Sequence, residues 1–566
     1  MKRRAMRGPN VLAIIFVMLT VGGLAHAGDA SPLPSKGPLY PLGISTPDPQ
    51  IAVGRDYVLA VDTGNLSFYD RAKKVWIKSL PWLPKTDHYA TATITAQDLF
   101  QPFFKTIDEQ IVLAHDGQRA MPPCEKGKPC FCDPDDPKLT YDGNPLPDSV
   151  KGHITGGFGC IQEAYDTRVL YDAERHRFWI ASAVRNMLFR QQVNTQDAPS
   201  QCPTAPGLVT QGPNGTIWDP VAGNPAVNFC HTDWPASWAH RFIVVAVSQV
   251  NDKGEEDLNR PFHRFVLVDE YNDWPQMTVH GNYLVLNHRA LGSAIYVFNA
   301  EALANGNKGD QRLGRFSYNQ FVSAGPLVVM AATQPIYLVN THGSSDGLTY
   351  LVSGNGSMPL IFALSHPKGD ISGTPTLLAW PTVIGLAFQG PSVNPVFRDG
   401  KLYIASHSSS CDDKYTTRVV RLPIIRDSNG HPLQVDTWGE GFLDLSVGDA
   451  AGDNFSYVFP SVEVTKNDDI VLSYERVGLK ASQPFTAGLL YNVVLHGEDQ
   501  LRSSQPLQDG IQLPPGIKGV SAQIGVNPPI DLGGIAVDPL DDTGVWMSGA
   551  YGDSNGLHAV IGAVKP

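Results

Sequence analysis

The stretch PVFRDGKLYIASH, residues 395–407, decides the fold. A short apolar run meets Asp399-Gly400, and a second apolar run rich in β-formers follows. Asp-Gly between two such runs is the signature of a tight β-hairpin, because the turn needs backbone angles that Asp and Gly tolerate. The same shape recurs along the chain. Its other copies are IAVGRDYVLAVD (51–62), VLYDAERHRFWIASA (169–183), MTVHGNYLVLNH (277–288), LVVMAATQPIYLVNT (327–341), VEVTKNDDIVLSY (462–474) and IAVDPLDDTGVWMSG (535–549). The copy at 327–341 is the weakest, since it lacks an obvious turn. Repeated hairpins with turn residues between them, and no long helical period, predict an all-β fold.

Seven copies predict a seven-bladed β-propeller, or a six-bladed one if the copy at 327–341 is not a blade. Radial repetition protects the edges of many short strands in one chain. Two β-sandwich domains are the alternative, and they account less well for repetition along the whole chain. Copies one to three are widely spaced, which predicts insertions at about 72–165 and 185–240. The propeller is expected to span 45–566, after a linker at 28–44.

Residues 1–27 read as a secretory signal peptide. MKRRAMRGPN carries four basic residues and no acid, VLAIIFVMLTVGGL is apolar, and Ala25-His26-Ala27 is a small-x-small cleavage site. Cleavage after Ala27 predicts a secreted or periplasmic protein, and no later run is long enough for a membrane span. Without those four charges the formal net charge of −12 becomes about −16. Such an acidic chain is a poor partner for nucleic acid. A monomer that engages polysaccharide or a cell-envelope protein is expected.

Export also favours disulfides among the seven cysteines. Six lie between Cys124 and Cys230, in the expected insertions, and Cys202–Cys230 is the first pairing to test. The pairing of Cys124, Cys130, Cys132 and Cys160 stays open. Disulfides are favoured over a zinc cluster of Cys124, Cys130, Cys132 and His153, and Cys411 reads as an inert thiol.

Five pieces carry a family resemblance: DPQIAVGRDYVLAV, DTRVLYDAERHRFWIASA, DWPQMTVHGNYLVLN, VFPSVEVTKNDDIVLS and DLGGIAVDPLDDTGVWMS. They resemble secreted bacterial β-propellers of the sialidase-like superfamily, a largely uncharacterised group. The resemblance implies fold more than activity. The Asp-box turn of sialidases has only an approximation here, SSDGLTY (344–350).

Propeller geometry gives the ends of these hairpins a common place. The turns lie on one face of the disc, and the strand ends lie on the other. Strand-end residues from every blade should therefore surround one mouth of the central channel. Catalytic candidates are His288, Arg289, His407 and Tyr474, with imidazole as base, phenol as acid and guanidinium as carboxylate partner. Binding candidates are Asp48, Asp62, Asp166, Asp273, His342, Glu475, Asp531 and Tyr551. Imidazole with carboxylate suits zinc, manganese or copper, so a divalent ion at this His/Asp rim is a candidate cofactor. No short motif dictates a mechanism. The expected function is therefore a glycan- or protein-binding module, with a polysaccharide lyase or glycoside hydrolase as the alternative.

Overall fold

Six of the seven hairpin copies grow into full blades, each a sheet of at least four antiparallel strands. The computed structural model describes residues 35–44, 49–62, 65–77, 79–83, 94–96, 99–100, 158–190, 193–194, 227–228, 240–269, 275–287, 294–307, 311–317, 327–328, 336–340, 360–364, 376–377, 395–409, 415–428, 432–436, 439–447, 455–478, 487–510, 533–553 and 556–566. Blade I holds Pro49–Val53, Tyr57–Asp62, Asn65–Asp70 and Val75–Ile77, with Ile94–Thr95 added to its third strand. Blade II holds Phe158–Asp172, Arg177–Arg190, His240–Val247 and His263–Asp269. Blade III holds Gln276–His280, Tyr283–Asn287, Ala294–Asn299 and Arg312–Ser317. Blade IV holds Val396–Arg398, Lys401–Ser409 and Tyr415–Arg426, with Pro432–Val435 and Leu443–Ser446 side by side on the third. Blade V holds Phe455–Val464, Ile470–Gly478, Ala487–Val494 and Gln505–Gln508.

Blade VI is assembled from both ends of the compact unit Ser35–Pro566. Gly534–Val537, Val545–Asp553 and Gly556–Lys565 supply three strands, and Ser35–Ile44 pairs antiparallel with the last of them. The expected linker at 28–44 is thus corrected: ten of its residues close the ring.

The expectation of seven blades is corrected too, and the six-bladed alternative holds. The copy at 327–341 gives a short sheet in which Leu327–Val328 and Thr376–Leu377, two residues each, flank Ile336–Asn340 and Leu360–Leu364. Among the described residues this copy makes a short four-stranded sheet and not a seventh full blade. Most of the expected insertions, and the side chains of all seven cysteines, lie outside the described residues. At their edges Phe158–Tyr165 lengthens the inner strand of blade II, and 185–190 lengthens its partner.

The turns are the ones the sequence requires. Asp399 and Gly400 sit at φ 48° and 77°, the pair of positive angles that a two-residue hairpin demands. The strands are apolar on both sides where a blade is packed between neighbours, as blade I is between VI and II. Val58, Leu59, Ala60 and Val61 are all fully buried. Phe68 packs with Phe178 between blades I and II, Trp179 with Leu284 between II and III, and Tyr403 with Leu472 between IV and V. Met547 packs with Val471 between V and VI, and Trp546 with Ile51 between VI and I.

Charged side chains staple neighbouring blades on the turn face. Arg71 pairs with Asp538 at 2.6 Å and donates to the carbonyl of Gly54. Arg175 joins Asp172 and Glu301 and donates to the carbonyl of Gly281. Asp468 accepts from Lys401 and Tyr403. Arg398 reaches the Val464 carbonyl at 2.7 Å and the Asp542 carboxylate, tying blades IV, V and VI.

Glu463 lies at that three-blade junction. Burial raises its pKa from 4.5 to about 7, opposed by the Val464 N–H and by Arg398, with Asp542 adding to the rise. The native state holds this proton more tightly than the unfolded chain does. Its contribution to stability is therefore full below the unfolded value of 4.5 and is lost as pH rises to about 7. Glu463→Gln is expected to flatten that part of the profile. The wild type should lose on the order of 2 kcal/mol relative to the variant between these pH values. Urea titrations of both proteins across this range check it, and parallel profiles would contradict the assignment.

Candidate functional site at the strand-end face

The face opposite the turns collects the strand ends, as propeller geometry requires. Asp48, Asp273, His288, Arg289, His342 and Asp531 lie outside the described residues. Asp62 pairs with Pro49 at the end of blade I's second strand, and His407 pairs with Thr417 near the end of blade IV's. For both, the backbone alone is described.

Asp166 occupies a two-residue bulge in the inner strand of blade II. Register breaks between Tyr165 and Arg168, which face Ala183 and Ala181, and Asp166 takes φ 49°. Blade V has the matching bulge: Val458 and Ser461 face Glu475 and Ser473, with Phe459 at φ 51°. A left-handed non-glycine costs roughly 1–2 kcal/mol, so packing must hold both in place. Thr167 and Ser182 share a hydrogen bond of 2.9 Å beside the first bulge. Beside the second, Ser461 Oγ and Gln50 Nε2 both donate to the Gly533 carbonyl, joining blades V, I and VI.

Tyr474 does not stand at the rim. It is 1% exposed in the core between blades IV and V, and its hydroxyl donates to Asn492 Oδ1 and contacts Ser504 Oγ, each at 2.6 Å. Burial holds this phenol well above the usual range, so it stays protonated as a structural donor. The expected catalytic acid is thereby corrected. Strand alternation sends Tyr474 to the blade IV side and its neighbour Glu475 to the blade VI side.

Glu475 and Tyr551 do meet, between blades V and VI. Glu475 is fully buried, and its Oε1 accepts the Ala550 N–H at 2.8 Å. A Cβ at Gly549 would come 2.6 Å from Leu489 Cδ1 and 3.2 Å from that oxygen, so glycine lets blade V pack this closely on blade VI. Tyr551 packs against the same interblade core. Its ring lies 5.4 Å from that of His558, tilted by 30°. Burial and the charge of Asp553 raise the Tyr551 pKa and keep its hydroxyl protonated. His558 Nε2 lies 2.9 Å from Asp553 Oδ1, with 16% of the imidazole and 24% of the carboxylate exposed.

His558 and Asp553 are the residues that sequence reasoning missed. Their signal was the tip GDSNG at 552–556, a turn between two apolar runs that folds His558 back beside Tyr551. The recurring hairpin pattern reaches only the end of the second strand.

Chemically, this rim offers an imidazole oriented by a carboxylate, a protonated phenol and two ring faces. An oriented imidazole can donate, accept or carry a proton through its other nitrogen. The two neighbouring ring faces suit a flat, hydroxyl-bearing ligand. Among the described residues, no group of three His, Cys, Asp or Glu side chains could hold a metal ion. The candidate metal rim depended on residues outside that set.

No protein-family model matches the chain, and no curated protein matches it. Several solved structures are similar to it. The WD40 domain of SCAP from fission yeast shares 11% identity over 94% of this chain and 98% of that one, with a TM-score of 0.30. The sialidase of Trypanosoma rangeli shares 11% over 56% and 57%, with a TM-score of 0.28. An α-L-arabinofuranosidase from Podospora anserina shares 10% over 64% and 96%, with a TM-score of 0.26. Sialidase and glycoside-hydrolase structures thus stand among its neighbours. Likeness at this level carries no chemistry, and the class rests on the sheets themselves: an all-β propeller. Among the described residues no helix is long and apolar enough to cross a membrane.

Proposed function

We propose that this protein is a ligand-binding propeller, exported with cleavage after Ala27, that takes a glycan on its strand-end face. The observation that carries the reading is the Tyr551–His558–Asp553 group, a partly exposed pair of rings with a fixed imidazole. Hydroxyl-rich ligands are recognised by such a mixture of ring faces and oriented donors and acceptors. The turn face, by contrast, uses its charges to hold blades together.

Affinity electrophoresis of the purified chain in gels containing neutral and acidic polysaccharides tests this. Retardation by at least one polysaccharide is expected. His558→Ala should weaken it about tenfold, and Asp553→Asn several-fold, through loss of imidazole orientation. Unretarded migration in all gels would overturn the reading.

The enzyme reading draws on the same dyad. A carboxylate-held imidazole is the base half of an acid–base pair, and Tyr551 is a protonated donor beside it. Chromatography of the same polysaccharides after incubation separates the two readings. New reducing ends or unsaturated products that vanish in His558→Ala would make the protein an enzyme.

A further inference from the structure

A second group of donors lies on the same face, between blades IV and V. Arg476 occupies the blade V strand one residue beyond Glu475 and alternates to the blade IV side, opposite Tyr457. Its guanidinium carbon sits 4.7 Å from the centroid of the Phe455 ring, and its side chain is 23% exposed. One end of the fork pairs with Asp509, a carboxylate that is 59% exposed. Gly488, across the strand from Arg476, lets the segment that carries Asp509 pass close by: a Cβ there would come 3.0 Å from the Gly510 backbone nitrogen and 3.3 Å from the Gln508 carbonyl oxygen. The buried Nε–H of Arg476 meets no acceptor among the described residues.

Blade IV supplies the opposite wall. The Tyr415 N–H donates to Ser456 Oγ at 3.0 Å, which docks the third strand of blade IV onto blade V. Two residues on, Thr417 shares the side of Val419, which belongs to the core between these blades. Thr417 is fully buried, and its Oγ1 has no hydrogen-bond partner among the described residues. Register places His407 directly beside it.

We infer that Arg476 is the carboxylate-binding residue of this face, and that the glycan it takes is a uronate-bearing polysaccharide. The inference rests on the glycan reading above and adds the charge of the ligand. A guanidinium fork matches a carboxylate with two parallel hydrogen bonds. Asp509 shows that a carboxylate fits there, and its exposure makes it cheap to displace, since exposed ion pairs contribute little. Phe455 holds the guanidinium plane from one side and offers a sugar ring a flat neighbour. With a formal charge of −12, or about −16 after cleavage at Ala27, the protein repels polyanions at long range, so recognition must come from a local contact of this kind.

The test is calorimetric titration of the full chain with a polyuronate and with a neutral glucan of similar length. The wild type should bind the polyuronate more tightly, and added salt should narrow the difference. Arg476→Ala should lose about tenfold or more for the polyuronate and little for the glucan. Arg476→Lys should recover only part, because a point charge cannot form the fork. Asp509→Asn, which keeps the fold but removes the competing carboxylate, should bind the polyuronate several-fold more tightly. Unchanged polyuronate affinity in Arg476→Ala, or no gain in Asp509→Asn, overturns the inference. Binding of glucan alone also overturns it and leaves the glycan reading standing, whereas binding of neither removes both.

Discussion

Deleting Ser35–Ile44 is expected to open the propeller. This strand is the outermost of blade VI, and its seven registered pairs with Gly556–Lys565 are the link between the two ends of the unit. Its removal strips one edge of a ten-residue strand of its hydrogen-bond partners. At about 1 kcal/mol for each net backbone hydrogen bond, the direct loss is about 5 kcal/mol. The indirect loss is larger, because an unpaired edge is a template for association with other chains. The expected result is a chain that unfolds at markedly lower urea concentration and aggregates on warming. A synthetic peptide of residues 35–44, added in trans, should restore the elution of the intact chain and shift the midpoint back. Size-exclusion chromatography with light scattering, beside urea titration, reads both effects. A truncated chain that stays monomeric with an unchanged midpoint would show that this strand does not close the ring. The site would respond as well, since Ile44 is registered against His558.

That strand also marks where sequence reading ends. SKGPLYPLGI has two prolines and two glycines, and its partner lies more than 500 residues away in the chain. Nothing local distinguishes such a segment from a linker, because its strand character comes from the edge it meets. The hairpins were legible for the opposite reason: Asp399-Gly400 between two apolar runs fixes its geometry without help. The bulges fall between these cases. No propensity favours a left-handed Phe459, so the backbone there is set by contacts from neighbouring blades.

The candidate site divides along the same line. The strand positions of Glu475 and Tyr551 were legible because both lie near the end of a recognised second strand, but the full burial of Glu475 between blades V and VI, away from the expected rim, was not. Tyr474 misled because adjacent residues on one strand serve different interblade spaces, and which space is core depends on the neighbours. Asp553 and His558 were hidden because they flank the step from the second strand to the third, where Asp553 pairs with Gly556. Arg476 shows the limit from another side. Its place one residue beyond Glu475 was visible, but its relation to Phe455, Asp509 and blade IV is tertiary.

Glu256 carries the second large effect expected of a single group. It comes from the hairpin Gln249–Val250/Glu256–Asp257 beside blade II and reaches the first turn of blade I. Its Oε1 accepts the N–H of Arg55 at 2.6 Å, and its Oε2 accepts those of Asp56 and Tyr57, each at 3.1 Å. Only 6% of the residue is exposed. Gly54 makes the approach feasible, since a Cβ there would collide with both carboxylate oxygens and with Phe178. Glu256→Ala leaves three backbone donors without their acceptor inside the I–II junction. At about 1–3 kcal/mol for each such donor, with water recovering part, the net cost should be about 3–4 kcal/mol. Glu256→Gln keeps one acceptor oxygen and should cost about half as much. Burial raises the pKa of this carboxyl against the pull of the Arg55 and Asp56 amides, so ionisation is already disfavoured there. The raised value means that its contribution fades as pH climbs through the native pKa, and the gap between wild type and Glu256→Gln should narrow in step. Urea titration at acid and neutral pH measures the costs, and limited proteolysis at the turn Gly54–Tyr57 reports whether the junction itself has loosened. An alanine variant within about 0.5 kcal/mol of the wild type would mean that the turn finds its acceptors elsewhere, and that the apolar core shared by blades I and II, Phe68 and Phe178 among it, holds the junction.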